Sequence, residues 1–433
     1  MGLSRKGFLA SLAGGAAAAG AGLAGGSGDG PHGAAQGADE ECVRPARFGA
    51  AATGLADDSR ALNAAIDAAR KRGEFGTAAG EGRPVCIGPG VHRLDAPLNL
   101  VGRQHNLRGA GAFQTVLRAS TGGVALDMAA AGFSTVRDLL LDTRGAARPS
   151  VVGILQARGP DKGVASHNHV YDSVVWLGHA PGANGGRGSV ALYNVGAETT
   201  TYQNVALRGD VGLYLGSVNG YGLASPHLGR IGSDVSMTVV SVRGTSEIYG
   251  IAGPAVRING GAQIDLGDAA LTSDFRQAGL PRPYPYAIDV MTQVSGLRYS
   301  GSVEEYPGLM SVRSMMTGLF LECYAAHQPG KHLIFLAEGA VLAGGRIDVV
   351  PNPGTSGGNL IVAQANYGSL VEGMDITLYN QGIDLNSNGV LRGCTIRSTR
   401  TLAQTKAGII ARVKTGNVIT ATDGVHIDGV TPW

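Results

Sequence analysis

Aromatic residues make up only 5% of this 433-residue chain. A core without many large rings must be filled by small aliphatic side chains, and such side chains fill space well only in a regular, repeated packing. Charge of one sign is also missing: 35 basic residues, six of them Lys, face 33 acidic ones. The formal net charge is +2, and removing a leader that carries Arg5, Lys6 and Asp29 takes it to +1. That balance excludes a general nucleic-acid or membrane-surface role. Cysteine is sparse and scattered at Cys42, Cys86, Cys323 and Cys394, so no zinc-type spacing exists. An exported chain could pair Cys42 with Cys86, while Cys394 falls at an inward, apolar position. No run is apolar enough for a membrane span. What is abundant is glycine, 70 residues of it, which implies many turns and bends.

Residues 1–36 read as a leader. Ser4-Arg5-Lys6-Gly7-Phe8-Leu9 is basic, an Ala/Gly run follows to Gly26, and no acid appears before Asp29. This is the layout of a secretory signal peptide, with a twin-arginine-like start in which Lys6 replaces the second Arg. A secreted, extracellular protein is expected, exported by a Tat-like or a Sec route.

The rest is organised around a short pattern. Val371-Glu372-Gly373-Met374-Asp375-Ile376-Thr377 recurs as Leu391-Arg392-Gly393-Cys394-Thr395-Ile396-Arg397 and as Leu342-Ala343-Gly344-Gly345-Arg346-Ile347-Asp348. The closing alternation has the period of a strand, and the Gly marks a bend before it. Looser copies start at Val136, Val170, Tyr202, Met237, Val294 and Met316. Spacings of roughly 20 to 35 residues are those of a solenoid, in which one coil cannot bury its apolar side alone. The expected fold is all-β: a single-stranded right-handed parallel β-helix with an N-terminal capping helix. Residues 47–118 would form the cap and first coils, and 119–433 the remaining coils and the C-terminal end.

The cap carries its own signals. Phe48-Gly49-Ala50 precedes Asp57-Asp58-Ser59, any of which can cap a helix continuing to about Lys71. Leu62, Ala65, Ile66 and Ala69 share one face of it. Val85-Cys86-Ile87-Gly88-Pro89-Gly90-Val91-His92-Arg93-Leu94 follows as strand, turn and strand, and then Leu107-Arg108-Gly109-Ala110-Gly111 before Thr115-Val116-Leu117. This order resembles the N-terminal signature of the pectate lyase superfamily, shared with tailspike-type and glycoside-hydrolase-related β-helix proteins. Thr53-Gly54-Leu55 stands where that signature usually has Gly-Asp-Gly. The resemblance implies the fold and a polysaccharide partner, and it admits a homotrimer. It does not imply pectin, because the chain has none of the polygalacturonase pattern of Asn-Thr-Asp, Asp-Asp and Gly-His-Gly.

Chemistry must come from outward residues. With the nine pattern starts set in one column, the fifth positions are Leu140, Val174, Ala206, Ser241, Arg298, Phe320, Arg346, Asp375 and Thr395. The seventh are Asp142, Trp176, Arg208, Arg243, Ser300, Glu322, Asp348, Thr377 and Arg397. Glu322 and Asp348 then occupy one column on successive coils, with Asp375 beside them; these three are the candidate catalytic acids. Two carboxyls about one strand spacing apart can divide glycosidic hydrolysis, one donating a proton and one attacking or activating water. Neighbouring like charges would raise the pKa of one of them. Arg298, Arg346, Arg243, Arg208, Trp176 and Phe320 are the expected substrate-binding residues. The alternatives are a uronate lyase using Arg208, Arg243 and Arg298 as a basic column, the one reading that admits Ca²⁺, and a non-catalytic carbohydrate-binding protein. Otherwise no cofactor and no metal are expected; His167-Asn168-His169 reads better as a polar loop than as a metal pair. Tyr324, His327, Lys331 and His332 lie after the Glu322 strand, where they would line the groove or form the turn. Pro281-Arg282-Pro283-Tyr284-Pro285-Tyr286 is a stiff excursion suited to a groove wall or a subunit contact.

Overall fold

The computed structural model describes residues 42–69, 83–100, 105–129, 131–157, 167–183, 188–216, 239–261, 263–325, 332–337, 339–351, 358–413 and 416–427. The leader, Met237, His327 and Lys331 lie outside them. Short parallel strands stack coil upon coil, and the chain forms the expected right-handed parallel β-helix. Three ladders run along it. Sheet 1 includes Thr135–Arg137, His169–Tyr171, Thr200–Gln203, Val239–Arg243, Gln263–Asp265 and Leu297–Tyr299. Sheet 2 includes Leu140–Asp142, Val174–Trp176, Ala206–Gly209, Glu247–Gly250, Ala270–Ser273 and Ser302–Glu304. Sheet 3 has 12 strands, from Leu98–Asn99 to Ile409–Ile410. In the next coils the bend between sheets 1 and 2 disappears, and Met315–Ala325 and Val341–Pro351 run unbroken across both. Among the described residues the one antiparallel pairing is Val418–Ala421 with Gly424–Ile427.

The inward ladder is continuous. Leu321, Ile347, Ile376, Ile396 and Ile419 are successive Cα partners, each without solvent exposure. Parallel strands buried on their inner face need this run of aliphatic residues, and the sparse aromatics cause no deficit. Cys394 is buried on the same inner face.

Two kinds of corner bend the strands. Gly344, Gly373 and Gly393 have φ of 67°, 61° and 61°, so the Gly of the repeated pattern supplies a left-handed residue. Further upstream the left-handed positions are Asp138, Asp172 and Asn204, with φ of 59°, 47° and 52°. Asp and Asn tolerate this region because their side chains bond locally. The Asn204 amide donates to Asp172 at 2.9 Å, and its carbonyl oxygen accepts from the Thr245 amide at 3.1 Å.

The N-terminal helix is Ser59–Ala69, with Leu62, Ala65, Ile66 and Ala69 joined to the core of the first coil at Val85, Ile87, Leu94 and Leu98. It closes an end where core and strand edges would otherwise meet water. Asp57 accepts from the Ser59 amide at 3.0 Å and so satisfies the helix start. Asp58, fully buried, accepts instead from the amides of Ala51 and Ala52 at 2.7 and 3.0 Å and pairs with His92 at 3.0 Å. The Phe-Gly-Ala turn, the acid and the His of the signature are thus one structural clamp. Cys42 and Cys86 are disulfide-bonded, tying the chain start to the first coil. No helix among the described residues is long and apolar enough to cross a membrane, which does not bear on strands.

Candidate functional site

The outward rows of sheet 1 carry the acid cluster. One row runs Thr135, His169, Thr201, Ser241, Asp265, Arg298, Phe320, Arg346, Asp375, Thr395, each the Cα partner of the next. Two residues further along the strands, Glu322 pairs with Asp348, and Asp348 with Thr377. Glu322, Asp348, Asp375, Arg346, Arg298 and Phe320 therefore share one patch.

Its electrostatics centre on Arg346. The guanidinium donates to Asp348 at 2.9 Å, and Tyr379 donates to the other oxygen of Asp348, also at 2.9 Å. The hydrogen bond to Asp348 is the main cause that raises the Arg346 pKa, with the charges of Asp348, Glu322 and Asp375 adding against desolvation. Arg346 thus sits among three acids and is held most directly by Asp348. Asp375 is paired with Arg397 at 2.5 Å. Glu322 is exposed and makes no hydrogen bond among the described residues. Arg298 lies over the Phe320 ring, 5.7 Å from its centroid, leaving a flat, charged-topped platform beside the acids. Behind them, Cys323 points inward and is buried; burial, with the charge of Asp348, pushes its thiol up to about 12.

Three binding residues expected from the sequence fall elsewhere. Val136, Val170 and Tyr202 do not align with Met316: Tyr202 pairs with Val242, which follows Ser241 on its strand. The first three coils were set five residues out. Consequently Asp142, Trp176 and Arg208 belong to an outward row of sheet 2 that continues to Tyr249, Thr272 and Glu304. Leu140, Val174 and Ala206 lie in the row that leads to Glu247. Arg243 is in the right row but three coils from Glu322, about 14 Å at the usual strand spacing. Arg208, Arg243 and Arg298 do not form one basic column. Arg208 is ion-paired with Asp274, a residue outside the expected set. Trp176 packs edge-on against Phe113 at 6.2 Å, with the Arg144 guanidinium 4.2 Å from its ring centroid. The sequence offered no signal for Asp274, Tyr249 and Glu304 as neighbours, because they come from three different coils. Asn168 is buried and bonded to Ala131 and Ser134, while His167 stacks on Phe133, so that segment is a packed turn. Among the described residues no three His, Cys, Asp or Glu side chains gather as metal ligands.

No family model matches the chain, and no curated protein matches it. Solved structures do. The catalytic unit of a GH87 α-1,3-glucanase from Streptomyces thermodiastaticus strain HF3-3 is 15% identical, with 88% of this chain and 68% of that one covered, at a TM-score of 0.51. The Dettilon tailspike protein is 11% identical, with 89% and 67% covered, at 0.50. The chain shares the parallel β-helix fold with them. At these identities the likeness is one of fold. A protein of Geobacillus virus E2 is matched at 12% identity and a TM-score of 0.34, and this β-helix spans 62% of its length.

Proposed function

We propose that the protein is a secreted enzyme that cleaves glycosidic bonds of a polysaccharide by hydrolysis, with Glu322 and Asp348 as its acid pair. The observation that carries this reading is their direct pairing on adjacent strands, outward and in register, with unequal surroundings. Asp348, held in place by Arg346 and Tyr379, is suited to attack or to activate water. Glu322, free of such bonds, is suited to carry the proton to the leaving oxygen. Arg298 and Phe320 lie where a sugar ring would rest. The fold shared with a glucanase and a tailspike supports a glycan substrate, and a glucan belongs among those to be tried. Export by the leader and a homotrimer are part of the same reading.

The lyase alternative loses its basic column, since Arg208 lies on sheet 2 and is paired with Asp274. The test is a panel of α-1,3-glucan, polygalacturonate and alginate, assayed for new reducing ends and for the absorbance of unsaturated uronates. Reducing ends without that absorbance are expected. Both together would replace the hydrolase with a lyase, and neither would leave a binding protein.

A further inference from the structure

Asp348 is held from two directions. The Arg346 guanidinium, which donates to its Oδ2 at 2.9 Å, stands two residues away on the same strand and moves with the acid. The Tyr379 hydroxyl, which donates to its Oδ1 at 2.9 Å, comes from the next coil, 31 residues on. That second bond ties the carboxylate to a neighbouring coil. Tyr379 lies two residues past Thr377, the Cα partner of Asp348, and just beyond the strand Leu370–Leu378. Its side chain leans back along the strand to reach the acid, so the reach depends on where the backbone at 379 is held.

That backbone is gripped on both sides by the following coil. Before Tyr379, the Leu378 carbonyl accepts from the Thr399 amide at 3.1 Å and from the Thr399 hydroxyl at 3.4 Å. After it, Asn380 takes a left-handed φ of 63°, a region that Asn tolerates at small cost. Arg400 holds this residue twice. Its Nε donates to Asn380 Oδ1 at 2.6 Å, and a second guanidinium nitrogen donates to the Asn380 backbone carbonyl. A planar fork on a side-chain oxygen and a main-chain oxygen of one residue fixes the direction of the chain as well as its position.

We infer that Arg400 is a positioning residue for the acid pair, acting through Asn380 and Tyr379. Thr399 and Arg400 fix the segment 378–380, the segment aims the Tyr379 hydroxyl, and the hydroxyl sets Asp348 against Glu322. Glu322, Asp348, Tyr379 and Arg400 come from four successive coils, so the site extends two coils beyond its acids. The effect on turnover rests on the hydrolase reading; the aim of the hydroxyl does not.

Crystal structures and initial rates of the full chain carrying Arg400→Met, Tyr379→Phe or both test it. Arg400→Met keeps the apolar stem of a half-exposed side chain and removes its donors; thermal melting confirms that each variant is folded. In Arg400→Met the Tyr379 hydroxyl is expected to leave Asp348. On whichever polymer of the panel is cleaved, kcat should fall about tenfold or more, the scale of one hydrogen bond to a charged group, with KM little changed. Tyr379→Phe should cost as much, and adding Arg400→Met to it should cost nothing further. A clamp that served stability alone would cost the same in both backgrounds. A Tyr379–Asp348 contact left intact in Arg400→Met, or a full loss of rate on adding Arg400→Met to Tyr379→Phe, would overturn the inference and leave the hydrolase standing. A protein that cleaves nothing would sink the hydrolase, and the position of the Tyr379 hydroxyl in Arg400→Met then decides the inference alone.

Discussion

Glu322 and Asp348 are Cα partners on adjacent parallel strands, yet only Asp348 is held by hydrogen bonds, from Arg346 and Tyr379. That inequality is what a division of labour between two carboxyls requires. Glu322→Gln and Asp348→Asn keep the shape and remove the ionisable group. Each is expected to lower turnover at least about a hundredfold, the usual scale of general acid–base catalysis, in initial-rate assays on whichever polymer of the panel is cleaved. Near-normal rates in both would reduce the pair to surface charge.

Arg346→Ala should act differently. It releases Asp348 and removes the cation among three acids, so affinity for substrate is expected to fall more than turnover. A KM that stays fixed while kcat collapses would contradict the orienting role.

The inward ladder tolerates little. Ile376→Ala opens a cavity between Ile347 and Ile396 and should cost about 2–5 kcal/mol; Ile376→Asp buries a charge and should abolish folded product. Denaturant titration of the first and expression of the second check this. Soluble Ile376→Asp with an unaltered midpoint would mean that the side chain is not inward.

Gly373→Ala places a Cβ on a left-handed residue, φ 61°. The space is open, the nearest atom being Gly344 N at 3.9 Å, so the cost is the backbone alone, about 1–2 kcal/mol. A shift of the unfolding midpoint measures it.

At the N-terminus two ties hold the first coil. Deleting residues 47 to 72 removes the helix that covers it, and aggregation in size-exclusion chromatography is expected. Reducing the Cys42–Cys86 bond, whose partners are 44 residues apart, should lower stability by roughly 3–4 kcal/mol. An unchanged melting temperature under reductant would show that the helix alone suffices.

The fold was legible because the inward residues and the bend residues both repeat. The register of the first three coils was not, for a reason visible at single positions. Val136-Arg137-Asp138 and Val371-Glu372-Gly373 each place a left-handed residue third, after an apolar and a polar one. The local pattern is the same; the corner is different. A strand, a left-handed residue and a strand look alike wherever a coil turns, so the pattern identifies a bend without saying which bend. Glu322, Asp348 and Asp375 fall in the expected rows because their coils share the corner at Gly344 and Gly373, whereas the coils of Trp176 and Arg208 turn at the other corner, at Asp172 and Asn204.

The change of corner also bears on how such a chain can grow or shrink. The corner that runs through Asp138, Asp172, Asn204 and Gly244 is not the corner at Gly344, Gly373 and Gly393, so coils of the two stretches are not interchangeable units. Duplicating or excising one coil is compatible with the stack inside either stretch. At the seam, where the corner moves, it would leave a bend facing a straight strand. The unbroken strands Met315–Ala325 and Val341–Pro351 lie just past that seam, and they carry Glu322 and Asp348. The acid pair thus occupies the part of the protein least free to be lengthened or shortened, where whole-coil length variants should be rarest.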